Sequence, residues 1–372
     1  MVYLDYNATT PMDERVINAV VPFFHETFGN PSGLANQHGR DANRAVKRAL
    51  RTISNYFSTE STDDVIFTSG STESNNQLIE SFAGTAEHPA RILTTKLEHD
   101  SVLSTVRAKA PRVITDYVQN GADGVIDLED LERKIRPDTA LISIMAANNE
   151  IGSIQPVREI AEIAHRHGIP FHSDATQLIP YERIDLSETG IDYLSLSGHK
   201  ICAQKGVGLL ICKDDAALSK IQPLIYGGSQ QNGYRSGTLN VPGIVGIGKA
   251  IEILNEQIEQ DAEHCKLLSR RFLEVLDSHA VAYHVNGSLE HRIPGNISLA
   301  LKGFTASQLM GLLPEYSFSA GSACSTGKKS HVLAGIGCPD EIASGTIRVS
   351  FGRFSTEEEI TGFAERLASL QA

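Results

Sequence analysis

The sequence predicts an α/β fold, with a mainly parallel sheet covered on both faces by helices and a second, smaller α+β domain. Three observations predict it. Between Val65 and Ile211, short β-branched runs alternate with helical patterns. A long amphipathic stretch, Ile244 to Asp277, comes next, and strand-like runs beside helical ones complete the chain. Alternating strands and helices require crossovers over the sheet faces, which is the signature of parallel pairing.

The elements follow in order. Asp64-Val65-Ile66-Phe67, Arg91-Ile92-Leu93, Ala140-Leu141-Ile142-Ser143-Ile144, Ile169-Pro170-Phe171-His172 and Tyr193-Leu194-Ser195-Leu196 are compact apolar runs of strand length. Val207-Gly208-Leu209-Leu210-Ile211 is a further one. Between two of them, Val157 to His167 carries Ile160, Ile163 and Ala164 at helical spacing, with Gly168 as a stop. In the C-terminal part, Asn296-Ile297-Ser298-Leu299 and Thr346-Ile347-Arg348-Val349-Ser350 read as strands. There is no internal repeat and no low-complexity linker.

Composition narrows the function classes. A chain of 372 residues suffices for a large core and two domains. A net charge of -12 argues against non-specific attraction to nucleic acid or an anionic membrane. No apolar run approaches the roughly 18 residues of a membrane span. The start, Met1-Val2-Tyr3-Leu4-Asp5, lacks the basic and apolar regions of a secretory signal. The five cysteines are odd in number and lack metal-ligand spacing, so a reducing cytoplasm is the expected setting.

Candidate chemistry sits at strand ends. Lys200, in Ser197-Gly198-His199-Lys200, lies between two apolar strands, where poor solvation disfavours its ammonium form and favours a nucleophilic amine. Thr68-Ser69-Gly70-Ser71-Thr72-Glu73 links a strand to a helix and suits a phosphate, although a plain N-cap would use the same residues. Asp174 ends a strand, placed either to hold a pyridine nitrogen protonated or to cap the next helix. Gln177 is one turn further on, within reach of a phenolic oxygen. His99 could stack on a planar ring and move protons near neutral pH, or serve structurally.

Phosphate turn, histidine, aspartate and lysine in this order resemble a pyridoxal-phosphate enzyme of the aminotransferase fold. The chain is similar to the cysteine desulfurases, in the NifS/IscS-like group. The runs that carry the resemblance are Tyr3 to Pro11, Phe28 to Ser32, Thr68 to Asn76, Asn148 to Gly152, His172 to Gln177, Ser197 to Lys200, Arg235 to Leu239, and Gly321 to Cys324. So many ordered matches are far more specific than any single motif.

The resemblance implies a pyridoxal-phosphate-dependent fold of type I. Residues 15–250 would form the large cofactor domain around a seven-stranded sheet, and 1–14 with 251–372 the small domain. Lys200 would hold pyridoxal 5'-phosphate as a Schiff base, Asp174 would pair with the ring nitrogen, and Gln177 would contact the phenolic oxygen. His99 would stack on the ring and assist proton transfer. Thr72, Ser197 and His199 would hold the phosphate, with Ser71 beside them. Thr238 would reach the phosphate of a second subunit, making the active unit a homodimer. Asn149 and Arg348 would bind L-cysteine, Arg348 by its carboxylate. Cys324, in the Ser- and Gly-rich stretch 319–330, would take the sulfur as a persulfide from a mobile loop and pass it to an acceptor protein. That acceptor would be an iron–sulfur scaffold or an enzyme of tRNA thiolation or DNA phosphorothioation. Other members of the fold, a selenocysteine lyase or a class V aminotransferase, are the alternatives, with a non-catalytic sulfur relay behind them. Cys202, Cys212, Cys265 and Cys338 read as small buried residues.

Three stretches depart from the family pattern. Ile201-Cys202-Ala203-Gln204-Lys205-Gly206 replaces Ile-Tyr-Gly-Pro-Lys-Gly, Gln230-Gln231-Asn232-Gly233 replaces His-Glu-Arg-Gly, and Lys328-Lys329 shortens the loop after Cys324.

Overall fold

A computed structural model describes residues 1–320 and 330–371. In chain order its strands are β1 (Val2–Tyr3), β2 (Val65–Thr68), β3 (Ala90–Thr95), β4 (Val113–Val118), β5 (Thr139–Ser143) and β6 (Phe171–Asp174). They continue with β7 (Tyr193–Ser197), β8 (Gly208–Cys212), β9 (Tyr283–Val285), β10 (Asn296–Leu301), β11 (Tyr316–Ser317) and β12 (Thr346–Ser350). Seven of them form one sheet in the order β2-β8-β7-β6-β5-β3-β4.

Within that sheet only β8 runs against the rest. It pairs antiparallel with both β7 and β2, while β7-β6, β6-β5, β5-β3 and β3-β4 are parallel. Two reversals restore direction, so β2 points the same way as β7. The carboxyl ends of β2, β3, β5, β6 and β7 therefore share one rim, where ligands gather in open α/β sheets. Register places Ser197 opposite Gly208 and Gly208 opposite Thr68, a row that sets the end of β7 beside the turn after β2.

Side chains sort by strand period. Val65, Phe67, Leu194, Leu196, Leu209 and Ile211 enter the core on one face. Ile66, Tyr193, Leu210 and Cys212, one residue out of step, enter the core on the other. Both faces are buried, as a near-continuous apolar sequence in these strands demands.

Several expected strand bounds shift by a residue or more, and two of the shifts have a plain local cause. Asp64 is drawn into a short turn by accepting the Ser61 backbone N–H at 2.7 Å, so β2 starts at Val65. The run at Ile169 becomes ladder only at Phe171, because Pro170 has no N–H to donate. Val157–Arg166 is helical as the spacing requires, and Gly168 takes φ 67 behind it.

The long helix Val241–Ser278 begins where the Asn240 side chain accepts the Gly243 N–H at 3.1 Å, with Pro242 in the first turn. Its first half packs on the large sheet through Ile244, Ile247, Ile251 and Leu254. Its second half, through Leu268, Phe272 and Leu276, joins another core with β10, β12 and the helix Glu357–Ser369. There β12, β10 and β9 form an antiparallel sheet. The N-terminus joins that C-terminal part, since β1 pairs with β11 and Leu4 lies in its core. Among the described residues no helix is long and apolar enough to cross a membrane.

Candidate active site

A cavity of about 350 Å³ opens at the shared rim, lined among others by Ser71, Thr72, His99, Asp174, Ser197 and Lys200. Asn149, Gln177, His199 and Arg348 also line it. Thr238, by contrast, does not line it and is exposed on the surface. Cys324 lies outside the described residues, as does most of the stretch 319–330.

One end of the cavity is hydroxyl-rich. β2 leads through Gly70 into the helix Ser71–Phe82. Gly208 passes so close that a Cβ on it would stand 2.5 Å from the Gly70 Cα, so the turn and β8 need glycine there. The Ser71 N–H donates to Ser197 Oγ at 2.8 Å, joining the two strand ends. Glu73 accepts the Ser69 N–H at 2.8 Å and pairs with Arg235 at 2.9 Å. Burial pushes the Glu73 carboxyl up, but these partners outweigh it and hold the group below its ordinary value. His199 shares a 3.1 Å hydrogen bond with Thr9, and burial with the nearby charges of Lys200 and Lys205 pushes its pKa down to about 4. It is neutral at pH 7.

The acidic end is Asp174, at the tip of β6. Its Oδ2 accepts from Asn75 Nδ2 at 2.8 Å and its Oδ1 from the Thr176 N–H at 3.1 Å. Asn75 Nδ2 also donates to Ser101 Oγ at 2.8 Å, and Ser101 returns its backbone N–H to His99 Nδ1 at 3.1 Å. Asp174, Asn75, Ser101 and His99 thus form one chain of contacts. Below it, burial pushes His172 down to about 4, so this ring is neutral between Ser143 and Ser195.

Lys200 ends the short turn Gly198–Lys200 that follows β7. Its Nζ donates to the Ala8 carbonyl at 2.8 Å and to that of Asn7. Asn7 in turn exchanges two hydrogen bonds with the Gln177 amide, at 2.8 and 3.0 Å. Gln177 Nε2 keeps a second N–H beyond that exchange.

Arg348, on β12, is 1 % exposed. Its guanidinium donates to Asp5 Oδ1 at 2.8 Å and to the Asn149 carbonyl at 2.9 Å, while Nε is buried with no partner among the described residues. A buried N–H without an acceptor is costly, and a ligand carboxylate would supply one.

These groups fit pyridoxal 5'-phosphate. Hydroxyls of Ser71, Thr72 and Ser197 at a helix N-terminus suit a phosphate, Asp174 offers a carboxylate to a ring nitrogen, and Lys200 offers an amine to an aldehyde.

Sequence reasoning gave no role to Asn7, Asn75 or Glu150, although each lies in a matching run, nor to Glu98, which precedes His99. It missed His331 altogether, a lone histidine in no motif. Cys202, Cys212 and Cys265 are buried as expected, and burial raises their thiol pKa values, but Cys338 is only half-buried. In the first departing stretch, Cys202 takes φ 61 and donates its N–H to Thr10 Oγ1 at 2.9 Å. In the second, the Gln231 side chain accepts from the Phe67 N–H at 2.7 Å and donates to the Phe67 carbonyl at 3.0 Å.

A family model described as aminotransferase class V matches residues 2–363. The cysteine desulfurase IscS of Rickettsia bellii (strain OSU 85-389) is 40% identical over 365 residues, which span 96% of this chain and 88% of that protein. Among solved structures, a NifS-like protein superposes with a TM-score of 0.91 at 34% identity, covering 100% of this chain and 99% of the other. SspA, solved in complex with cysteine, superposes with a TM-score of 0.85 at 32% identity, covering 96% of this chain and 100% of that one. The fold is therefore that of the NifS-like enzymes, with the seven-stranded, mainly parallel sheet expected of it. By sequence and by structure alike, the chain belongs to the class V aminotransferase family and, within it, to the cysteine desulfurases.

Proposed function

We propose that this enzyme uses pyridoxal 5'-phosphate to take sulfur from L-cysteine, releasing L-alanine and leaving a persulfide on Cys324. The observation that carries the reading is the cavity that unites a lysine amine, a strand-end carboxylate, a hydroxyl-rich helix start and a buried arginine whose Nε has no partner among the described residues. When bound, the cofactor supplies an electron sink for a carbanion on the substrate.

The chain's own groups do the rest. Lys200 Nζ would hold the cofactor by its aldehyde, and as a free amine it would take the proton from the substrate Cα. Asp174, kept as an acceptor by Asn75 and Thr176, holds a proton on the ring nitrogen. Gln177 would donate to the phenolic oxygen, and His99 would lie against the ring. Ser71, Thr72, Ser197 and neutral His199 hold the phosphate. Arg348 grips the substrate carboxylate beside Asn149. Cys324, as thiolate, attacks the substrate sulfur.

The same reading divides the chain into a large unit, 15–250, and a small one of 1–14 and 251–372. The two cores met by the halves of the helix Val241–Ser278 support that division. It also makes the enzyme a homodimer, supported by an exposed Thr238 and by exposed Phe24, Phe28, Leu34 and Tyr226. The persulfide sulfur goes to an acceptor protein, a scaffold for iron–sulfur clusters or an enzyme that thiolates tRNA or DNA. Free cysteines suit a reducing, cytoplasmic setting.

The test is an assay of purified enzyme with L-cysteine and dithiothreitol. Alanine and sulfide in equal amounts are expected. Cys324→Ala should keep bound cofactor and lose both persulfide and sulfide. Normal turnover in that variant, or amino-group transfer to an added keto acid in place of sulfide release, would overturn the reading.

A further inference from the structure

We propose that Arg292 and Asn296 are positioning residues of this site: acting through Asn7, they fix which end of the Gln177 amide is offered to the cofactor. The proposal rests on the reading above, in which Gln177 donates to the phenolic oxygen of pyridoxal 5'-phosphate.

An amide side chain has one end that donates and one that accepts, and the two ends have nearly the same shape. Packing alone therefore cannot choose its direction. A partner whose own role cannot reverse can do so. Arg292 is such a partner. Burial pushes its pKa down to about 10, which leaves it charged at neutral pH, and a guanidinium has no acceptor.

Arg292 donates to the carbonyls of Ser288, at 2.7 Å, and Asn286, and its Nη1 donates to Asn296 Oδ1 at 3.0 Å. With its oxygen so engaged, Asn296 turns Nδ2 the other way. That nitrogen donates to Asn7 Oδ1 at 2.7 Å and to the Glu150 carbonyl at 3.3 Å. Asn7 Oδ1 is thereby committed as an acceptor, and Asn7 Nδ2 donates to Gln177 Oε1 at 2.8 Å. Gln177 Nε2 then meets the Asn7 carbonyl at 3.0 Å and has one N–H left. Each donor dictates the next, from a guanidinium that cannot accept to an amide that lines the cavity.

The series crosses the molecule. Asn296 opens β10 in the C-terminal sheet, and Gln177 follows β6 in the large one. Asn7, between them, is held from a third side, its backbone N–H donating to Ser350 Oγ on β12 at 2.9 Å. Its carbonyl also accepts from Lys200, so one residue meets both the amine and the amide expected at the cofactor. Asn7, Gln177 and Asn296 are all buried. A reversed amide would set acceptor against acceptor there, which is costly. Neither Arg292 nor Asn296 lines the cavity, so both act at a distance.

The test uses the full-length chain stripped of cofactor and two reversible ligands, pyridoxine 5'-phosphate and its 3-deoxy analogue, which lacks the phenolic oxygen. Asn296→Asp changes almost no volume but puts an acceptor where Asn7 needs a donor, so it reverses the series. It should weaken pyridoxine 5'-phosphate about tenfold and leave the analogue within about twofold of the parent. Asn296→Ala frees Asn7 without reversing it and should act in the same sense, more weakly. If Asn296→Asp does not fold, Asn296→Ala decides alone. Gln177→Leu is the reference and should show the same selectivity. Equal weakening of both ligands by the Asn296 variants, or no weakening of either, would overturn the proposal. If Gln177→Leu itself weakens both ligands equally, the fault lies in the contact of Gln177 with the phenolic oxygen, and the proposal falls with it. A parent that binds neither ligand would overturn the pyridoxal phosphate reading as a whole.

Discussion

Asn75 holds Asp174 from below: its amide nitrogen stands 2.8 Å from Oδ2 of the carboxylate, and neither residue is exposed by more than 6 %. The same nitrogen donates to Ser101, which contacts His99, so one asparagine sets both the acid end of the cavity and the ring that faces it.

Replacing Asn75 should therefore weaken cofactor binding without a loss of fold. A hydrogen bond to a charged group contributes about 1.5–3 kcal/mol. Asn75→Ala is expected to raise the cofactor dissociation constant by about 10- to 100-fold. Asn75→Asp should be worse, because it sets a like charge against Asp174. Titration of apo-protein with pyridoxal 5'-phosphate, followed by absorbance, measures both. Unchanged affinity in both variants would show that Asp174 needs no such support.

Gln231 stands in a stretch that departs from the family pattern, and its side chain does the work of a strand. It pairs with both the N–H and the carbonyl of Phe67 on β2, the edge of the large sheet. An edge left open would expose unpaired backbone groups. The same loop carries Arg235, bound to Glu73 in the phosphate turn, and Thr238. Gln231→Ala should speed amide hydrogen exchange at Phe67 and across 229–238 by at least tenfold, and leave β6 and β7 as slow as before. Unaltered exchange at Phe67 would remove this clasp from the account.

How much was legible in the sequence depended on how local the signal is. The strands, the helix at Val157 and the turn Thr68 to Glu73 announce themselves through period, breakers and caps within a few residues. Lys200 and Asp174 were found because strand ends are where a parallel sheet binds ligands. Asn7 lies within a matching run, but the run alone shows no role for it, since its partners Gln177 and Asn296 lie 170 and 289 residues away. The pairing of β1 with β11 is equally remote, and two-residue strands carry no period at all. His331 sits beside no strand end or glycine turn, and only the folded chain brings it to Glu98.

Glu98 makes the pH behaviour of the fold testable. Its side chain is 1 % exposed, and it accepts twice from the Met145 N–H, at 3.0 and 3.1 Å, and once from Thr95 Oγ1 at 3.0 Å. Burial pushes its pKa up to about 8, against the lowering effect of those donors. The folded state thus holds a proton that the unfolded chain releases near pH 4.3. Between these values the native state binds more protons than the unfolded one, so this group's contribution to stability falls as pH rises through that window. It levels off above pH 8, where the carboxyl is ionised in both states. Glu98→Gln removes the titration and keeps an acceptor for Met145. Denaturant melts at pH 5.5, 7 and 8.5 should show the variant losing less stability than the parent across the series. Parallel curves for the two proteins would mean that Glu98 is ionised in the native state throughout.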